Sequence, residues 1–242
     1  MLADPGVLVA MDHAPLGPLP GLAPIEAVAR AVRRSGPAGL VVNYGLCRRL
    51  SGGSDADGCD LVVRLDGNQT YRYGDNWPDW PDWELFYRPA DAARAGARGA
   101  AVNLVLGAAG ELASLRVVAR AAAECAAAGL YLVVSAISVD PPGTPAALRL
   151  EHRCAAVRMA CELGADVVVA YDADPDTVGV IRDWSYRPML AQGAPADGGP
   201  AGLARWAKAC ASAGANGVCV GRMIWSAEDP ARITAEVCAA LR

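Results

Sequence analysis

The sequence predicts a closed (β/α)8 barrel, a TIM barrel, in a single α/β domain. Three observations carry that reading. Short apolar runs alternate with longer amphipathic runs along the chain, the pattern of parallel βα units. Small-residue hinges, Ala95-Gly96-Ala97, Leu163-Gly164-Ala165 and Ala213-Gly214-Ala215, recur where a helix must stop and turn into the next strand. The length of 242 residues also matches one such barrel, which commonly runs to about 250. A doubly wound sheet is the runner-up. It would be favoured by GxGxxG after the first strand, and Asp12-His13-Ala14-Pro15-Leu16-Gly17 is not that pattern.

The elements follow in order. Residues 6–11 read as strand one and 24–34 as its helix. Residues 39–42 are strand two, 60–64 strand three and 100–104 strand four. A long helix with apolar spacing of helical period covers about 110–128. Residues 131–135 are strand five and 145–163 a helix. Residues 167–170 are strand six. A helix over 174–184 begins in an acidic turn, which suits the positive end of its dipole. Strand seven is 188–191, a helix covers 202–213, strand eight is 217–220, and a helix over 231–241 follows.

Composition excludes several classes of function. A formal charge of -4 leaves no basic footprint for nucleic acid. No run of about 18 apolar residues would span a membrane. The stretch Met1-Leu2-Ala3-Asp4-Pro5 lacks the basic start and apolar run of a signal peptide, so the expected compartment is cytoplasmic. The eight cysteines lie mostly inside apolar helix or strand patterns, and no CxxC pair occurs. They read as buried reduced thiols, neither a disulfide framework nor a metal site.

One segment breaks the alternation. Residues 66–87 form a Trp/Pro-rich insertion after strand three, with three of the six tryptophans between 75 and 87. Its prolines disfavour helix or central strand. Following a strand, it belongs at the catalytic face. It is either a lid over a ligand or a packed loop or subunit contact.

Four segments carry a resemblance to a known family. They are Met11-Asp12-His13 after strand one, Ala95-Gly96-Ala97 before strand four, 158–166 leading into strand six, and 213–222 near the end. Together they resemble the class I aldolase superfamily, with its archaeal-type fructose-bisphosphate aldolases and deoxyribose-phosphate aldolases. The likeness covers nearly the whole chain apart from the Trp-rich insertion. It implies a lyase, a small phosphorylated substrate, no cofactor, and a homo-oligomer. It implies that Asp12 lies near substrate hydroxyls or the proton in flight. It also implies a phosphate on the loops after strands seven and eight, here Gln192, Gly193, Ala194, Gly221 and Arg222. A glycine-bearing turn with an arginine fork suits an anion. The family's Gly-Gly after strand seven is Gly193-Ala194 here.

The chemistry departs from the family. Its Schiff-base lysine maps to Val169, and its proton-donor tyrosine falls near Ser138, a poorer donor than a phenol. The chain has one lysine, Lys208, in the middle of an outer helix. An arginine-rich coding bias explains the loss of surface lysines. It does not explain the loss of a nucleophilic amine, which a guanidinium cannot replace.

Replacement chemistry must come from other groups at the strand ends. Asp12 and His13 can form an acid–base couple or a structural turn, and strand alternation allows only one to face the cavity. Tyr171 and Asp172 lie beside the lost lysine position. Tyr44, Arg64 and Asn103 can hydrogen-bond a substrate, and Asp66 can hydrogen-bond the residues that hold it. No metal is expected, since the chain has only His13 and His152 as histidines. The resulting expectation is an acid–base lyase, isomerase or cyclase, of a kind that suits a biosynthetic pathway. The alternative is a non-catalytic barrel that binds a phosphorylated ligand or serves as a partner subunit.

Overall fold

The computed structural model describes residues 6–13, 19–52, 58–67, 82–194 and 199–242. Eight parallel strands close into the barrel: β1 (Gly6–Ala10), β2 (Gly39–Val42), β3 (Asp60–Arg64), β4 (Gly99–Leu106), β5 (Tyr131–Ser138), β6 (Val167–Ala170), β7 (Met189–Ala191) and β8 (Gly217–Val220). Each strand pairs with its sequence neighbours, and β1 pairs with β8 to close the cylinder. The helices are α1 (Ile25–Arg33), α2 (Tyr44–Leu50), α3 (Pro89–Arg94), α4 (Glu111–Ala128), α5 (Ala146–Glu162), α6 (Val178–Arg182), α7 (Gly199–Ser212), α8 (Arg222–Trp225) and α9 (Pro230–Ala240). Among the described residues no helix is long and apolar enough to cross a membrane.

Two-residue alternation sorts each strand into two cores. Leu8, Ala10, Val62, Val167, Val169 and Leu190 pack inside the cylinder. Val7, Val9, Val63, Val168 and Ala170 face outward and pack under the helices. Both faces are covered, which is why these strands are almost wholly apolar. The three hinge glycines, Gly96, Gly164 and Gly214, have φ of +89, +103 and +112 degrees, the left-handed region expected at a helix exit. At the N-terminal end of the barrel the Tyr131 hydroxyl donates to Asp60 Oδ2 at 3.1 Å. Its ring fills space that only Gly99 leaves, because a Cβ there would lie 2.4 Å from Tyr131 Cε2.

Boundaries differ from expectation in instructive places. Strands β4 and β5 run on to Leu106 and Ser138, beyond the apparent stops at 104 and 135. The polar residues Asn103 and Ser135 are register partners within the ladder, not its ends. Helix α6 begins only at Val178, because the Asp174 side chain accepts from the Asp176 and Thr177 amides at 2.9 and 3.0 Å and holds that stretch as a turn. Helices α2, α3 and α8 are too short to show a helical period and escape pattern reading. The Trp-rich insertion lies mainly outside the described residues. Its two ends are joined by an antiparallel pair, Asp66–Gly67 against Glu84–Leu85.

Candidate active site

The inward face at the C-terminal ends of β1, β3 and β4 is charged. Outward-facing Met11 is buried, and its amide bonds to the Val41 carbonyl at 2.8 Å, which continues β1 past its last ladder residue. Asp12, next in line, turns inward. Arg64 ends β3 with the same orientation. Its Nε donates to Asp12 Oδ2 at 2.7 Å, and its Nη1 donates to Asn103 Oδ1 at 3.1 Å and to Asp66 Oδ1 at 3.3 Å. Asp66 Oδ2 accepts from Trp83 Nε1 and from the Asn103 amide, both at 2.7 Å. The Asp66 side chain is fully buried, and those of Asp12 and Arg64 are nearly so.

Such a cluster is stable only while its charges stay matched and bonded. Burial pushes the Asp12 carboxyl up, but the Arg64 and His13 charges and the Arg64 hydrogen bond outweigh it and hold the carboxyl below its ordinary value. For Asp66 burial wins over Arg64 and the Asn103 and Trp83 bonds, and the carboxyl is raised. Arg64 is raised as well: burial opposes its charge, but its two carboxylates prevail. It carries a permanent positive charge.

His13 stands apart from this network. Its Nδ1 is 3.7 Å from Asp12 Oδ1, beyond hydrogen-bonding range, and is buried without a hydrogen-bond partner among the described residues. The carboxylate that could have fixed its tautomer is turned to Arg64 instead. The ring packs edge-on to Trp225 with centroids 5.3 Å apart, and the Trp225 indole donates to the Ala10 carbonyl at 3.2 Å. Gly221 lies against it, since a Cβ there would sit 3.0 Å from His13 Cε1. Burial lowers the imidazole below its usual value. Asp12 pulls it upward, while Arg222 and Arg64 push it down. His13 is therefore a neutral base near pH 7, with Arg222 close enough for its charge to act on it.

The other candidate residues distribute around the rim. Tyr44 opens α2 and stacks on Tyr87, with ring centroids 4.6 Å apart. Tyr171 is exposed after β6. Asp172, also exposed, has φ of +53 degrees and pairs with Arg153 of α5, not with the Asp12 cluster. Gln192 continues β7 through bonds from its amide to Ala170 and from the Ala173 amide to its carbonyl. Gly193 lies against the backbone of Asp172 and Ala173, and Ala194 follows it, half-buried. Gly221 and Arg222 form the start of α8, with the Arg222 side chain exposed. His152 pairs with Asp140 in the loop after β5. Among the described residues no group of three or more His, Cys, Asp or Glu is placed to hold a metal ion.

Val169 is buried inside the cylinder on β6, and Lys208 is exposed on α7. Sequence reading missed the part of Trp83. Its indole is a buried donor to Asp66, 17 positions earlier, and no local pattern signals that bond. Pairing of the insertion's two ends brings it there.

A closed parallel barrel whose strand ends carry the polar groups is an enzyme scaffold of the (β/α)8 kind. Comparison with known proteins narrows it: residues 6–227 match the DeoC/LacD family of aldolases, and the chain belongs to that family. It is 28% identical over 237 residues to a 2-amino-3,7-dideoxy-D-threo-hept-6-ulosonate synthase of Halobacterium salinarum, across 96% of this chain and 84% of that protein. It is 26% identical to an uncharacterised aldolase of Saccharolobus solfataricus, across 94% and 86%. In fold it superposes on a Schiff-base-forming fructose-1,6-bisphosphate aldolase with a TM-score of 0.83, at 23% identity and with 99% and 95% of the two chains covered. An archaeal fructose 1,6-bisphosphate aldolase gives a TM-score of 0.82 at 23% identity, with 98% and 94% covered.

Proposed function

We propose that this aldolase-family chain acts on a small phosphorylated sugar or keto-acid substrate by acid–base chemistry, without a Schiff base. One observation carries the reading. The polar mouth is intact, with Asp12, Arg64, Asn103 and His13 assembled, yet the chain's single lysine is exposed on an outer helix. Val169, whose side chain has no nucleophile, occupies the inward position on β6. His13, held below its ordinary value and so neutral near pH 7, takes and returns the proton. Asp12 and Asn103 hold substrate hydroxyls, with Tyr44 beside them. Tyr171 and Asp172 supply further proton transfer from the rim. Arg222 holds the phosphate, with the 192–194 loop and Gly221 beside it. The relative named as an ulosonate synthase supports a keto-functionalised, sugar-like substrate.

Two measurements test this. Borohydride treatment with dihydroxyacetone phosphate, followed by intact mass, is expected to leave the mass unchanged; a covalent adduct refutes the reading. Inorganic phosphate is expected to raise the melting temperature by mass action, and Arg222→Ala is expected to abolish that rise. Absence of any phosphate response in the parent protein removes the anion site.

A further inference from the structure

The Arg64 guanidinium is only partly used. It has five N–H donors in a planar fork. Nε–H goes to Asp12, and the two Nη1 hydrogens go to Asp66 and Asn103. The two Nη2 hydrogens have no partner among the described residues. They are not sealed away either: the side chain retains 15% of its accessible surface, on the inward face at the C-terminal ends of the strands, where a substrate enters. The fork is pinned at three of its five donors, so the last two are aimed without further loss of freedom.

We propose that Arg64 is a catalytic residue, whose free Nη2 donors bind the carbonyl oxygen of the substrate and hold it as that oxygen becomes negative, so that the substrate is a carbonyl compound passing through an enolate. The proposal rests on the acid–base reading of this mouth and adds to it the group that receives the charge. In the step, the His13 imidazole removes a proton from the carbon beside the carbonyl. The C–H electron pair becomes the new C=C bond, and the C=O π pair moves onto the oxygen at Nη2. Nothing is oxidised, and the proton on His13 returns in a later step. A guanidinium stays protonated and is a poor nucleophile, so its contribution is purely electrostatic. The surroundings strengthen that contribution, because a largely buried charge already fixed by its partners needs little reorganisation as the oxyanion forms. Asp12 and Asp66 keep the cation in place, and Trp83 and Asn103 in turn keep Asp66 in place.

Two planar enolate mimics test this: phosphoglycolohydroxamate for a triose-phosphate enediolate, and oxalate for the enolate of a 2-keto acid. Thermal shift and calorimetric titration are run on the parent protein, Arg64→Gln, the charge-compensated Arg64→Gln/Asp66→Asn, and Asp66→Asn alone. The double variant guards against unfolding caused by two unbalanced carboxylates. At least one mimic is expected to bind the parent protein and, more weakly, Asp66→Asn. Affinity is expected to fall roughly ten- to hundred-fold wherever Arg64 is lost. The inorganic-phosphate response through Arg222 is expected to survive in a folded Arg64 variant. Failure of both mimics to bind the parent protein overturns the proposal, as does undiminished binding in the folded double variant. Loss of the phosphate response alone, with mimic binding intact, counts against the Arg222 site and leaves the role of Arg64 standing.

Discussion

Truncation of Asp66 probes the cluster on which the site depends. Its carboxylate accepts from Arg64 Nη1, Trp83 Nε1 and the Asn103 amide, at 3.3, 2.7 and 2.7 Å, and its side chain has no exposed surface. Asp66→Ala strands all three donors. Each bond to a charged group contributes roughly 1.5–3 kcal/mol, but the three share one acceptor and cannot be summed. Breaking a buried ion pair costs about 3–5 kcal/mol in comparable settings. Against this stands relief of the buried charge, which is what raises the Asp66 carboxyl. A net loss of about 3 kcal/mol follows. For a chain of this size that corresponds to roughly 6–12 °C in melting temperature, at about 2–4 °C per kcal/mol. Thermal unfolding followed by near-ultraviolet circular dichroism measures it. Trp83→Phe, which strands no charge and removes one bond, is expected to cost less, about 1.5–3 kcal/mol. If the Asp66→Ala midpoint lies within about 2 °C of the parent's, the cluster is not holding the mouth together and the reasoning fails.

Other perturbations separate site from scaffold. His13 is held below the ordinary imidazole value of 6.5, so the unfolded chain takes up a proton at a higher pH than the folded one. Its contribution to stability is therefore complete above about pH 6.5 and is lost as pH falls through that value toward the folded pKa. In His13→Gln the melting temperature is expected to depend less steeply on pH between about 5 and 7; an unchanged slope refutes this. Gly99→Ala drives a Cβ to 2.4 Å from the Tyr131 ring and is expected to destabilise by about 1–3 kcal/mol in urea titrations, far from the mouth. Lys208→Arg alters an exposed outer-helix position and is expected to leave stability within about 0.5 kcal/mol. Cys219 lies inside the barrel with its thiol pushed up to about 12 by burial and by Asp12. It is expected to resist alkylation in the native state; rapid labelling of Cys219 in mass spectrometry would show an open barrel.

The barrel was legible because its signals are local. A strand's period, a helix's period and the glycine of a hinge each occupy a few consecutive residues, and the register follows once all eight strands must close. Strand ends were legible to within two or three residues. The exceptions came where an inward polar residue, such as Asn103 or Ser135, resembled a stop. The placement of Asp12, His13 and Arg64 at strand ends could be read from the sequence, because the strand runs end there.

Which of those groups meet was decided only by the closed cylinder. Asp12 and His13 are adjacent in the chain, and the sequence suggested a couple. The structure gives Asp12 to Arg64, 52 positions away, and leaves His13 Nδ1 without a hydrogen-bond partner among the described residues. Asp66 likewise depends on Trp83, which the pairing of the insertion's ends brings beneath it. Charge pairing in a buried mouth is a matter of a few ångströms across strands, and those distances exist only once the sheet has closed on itself.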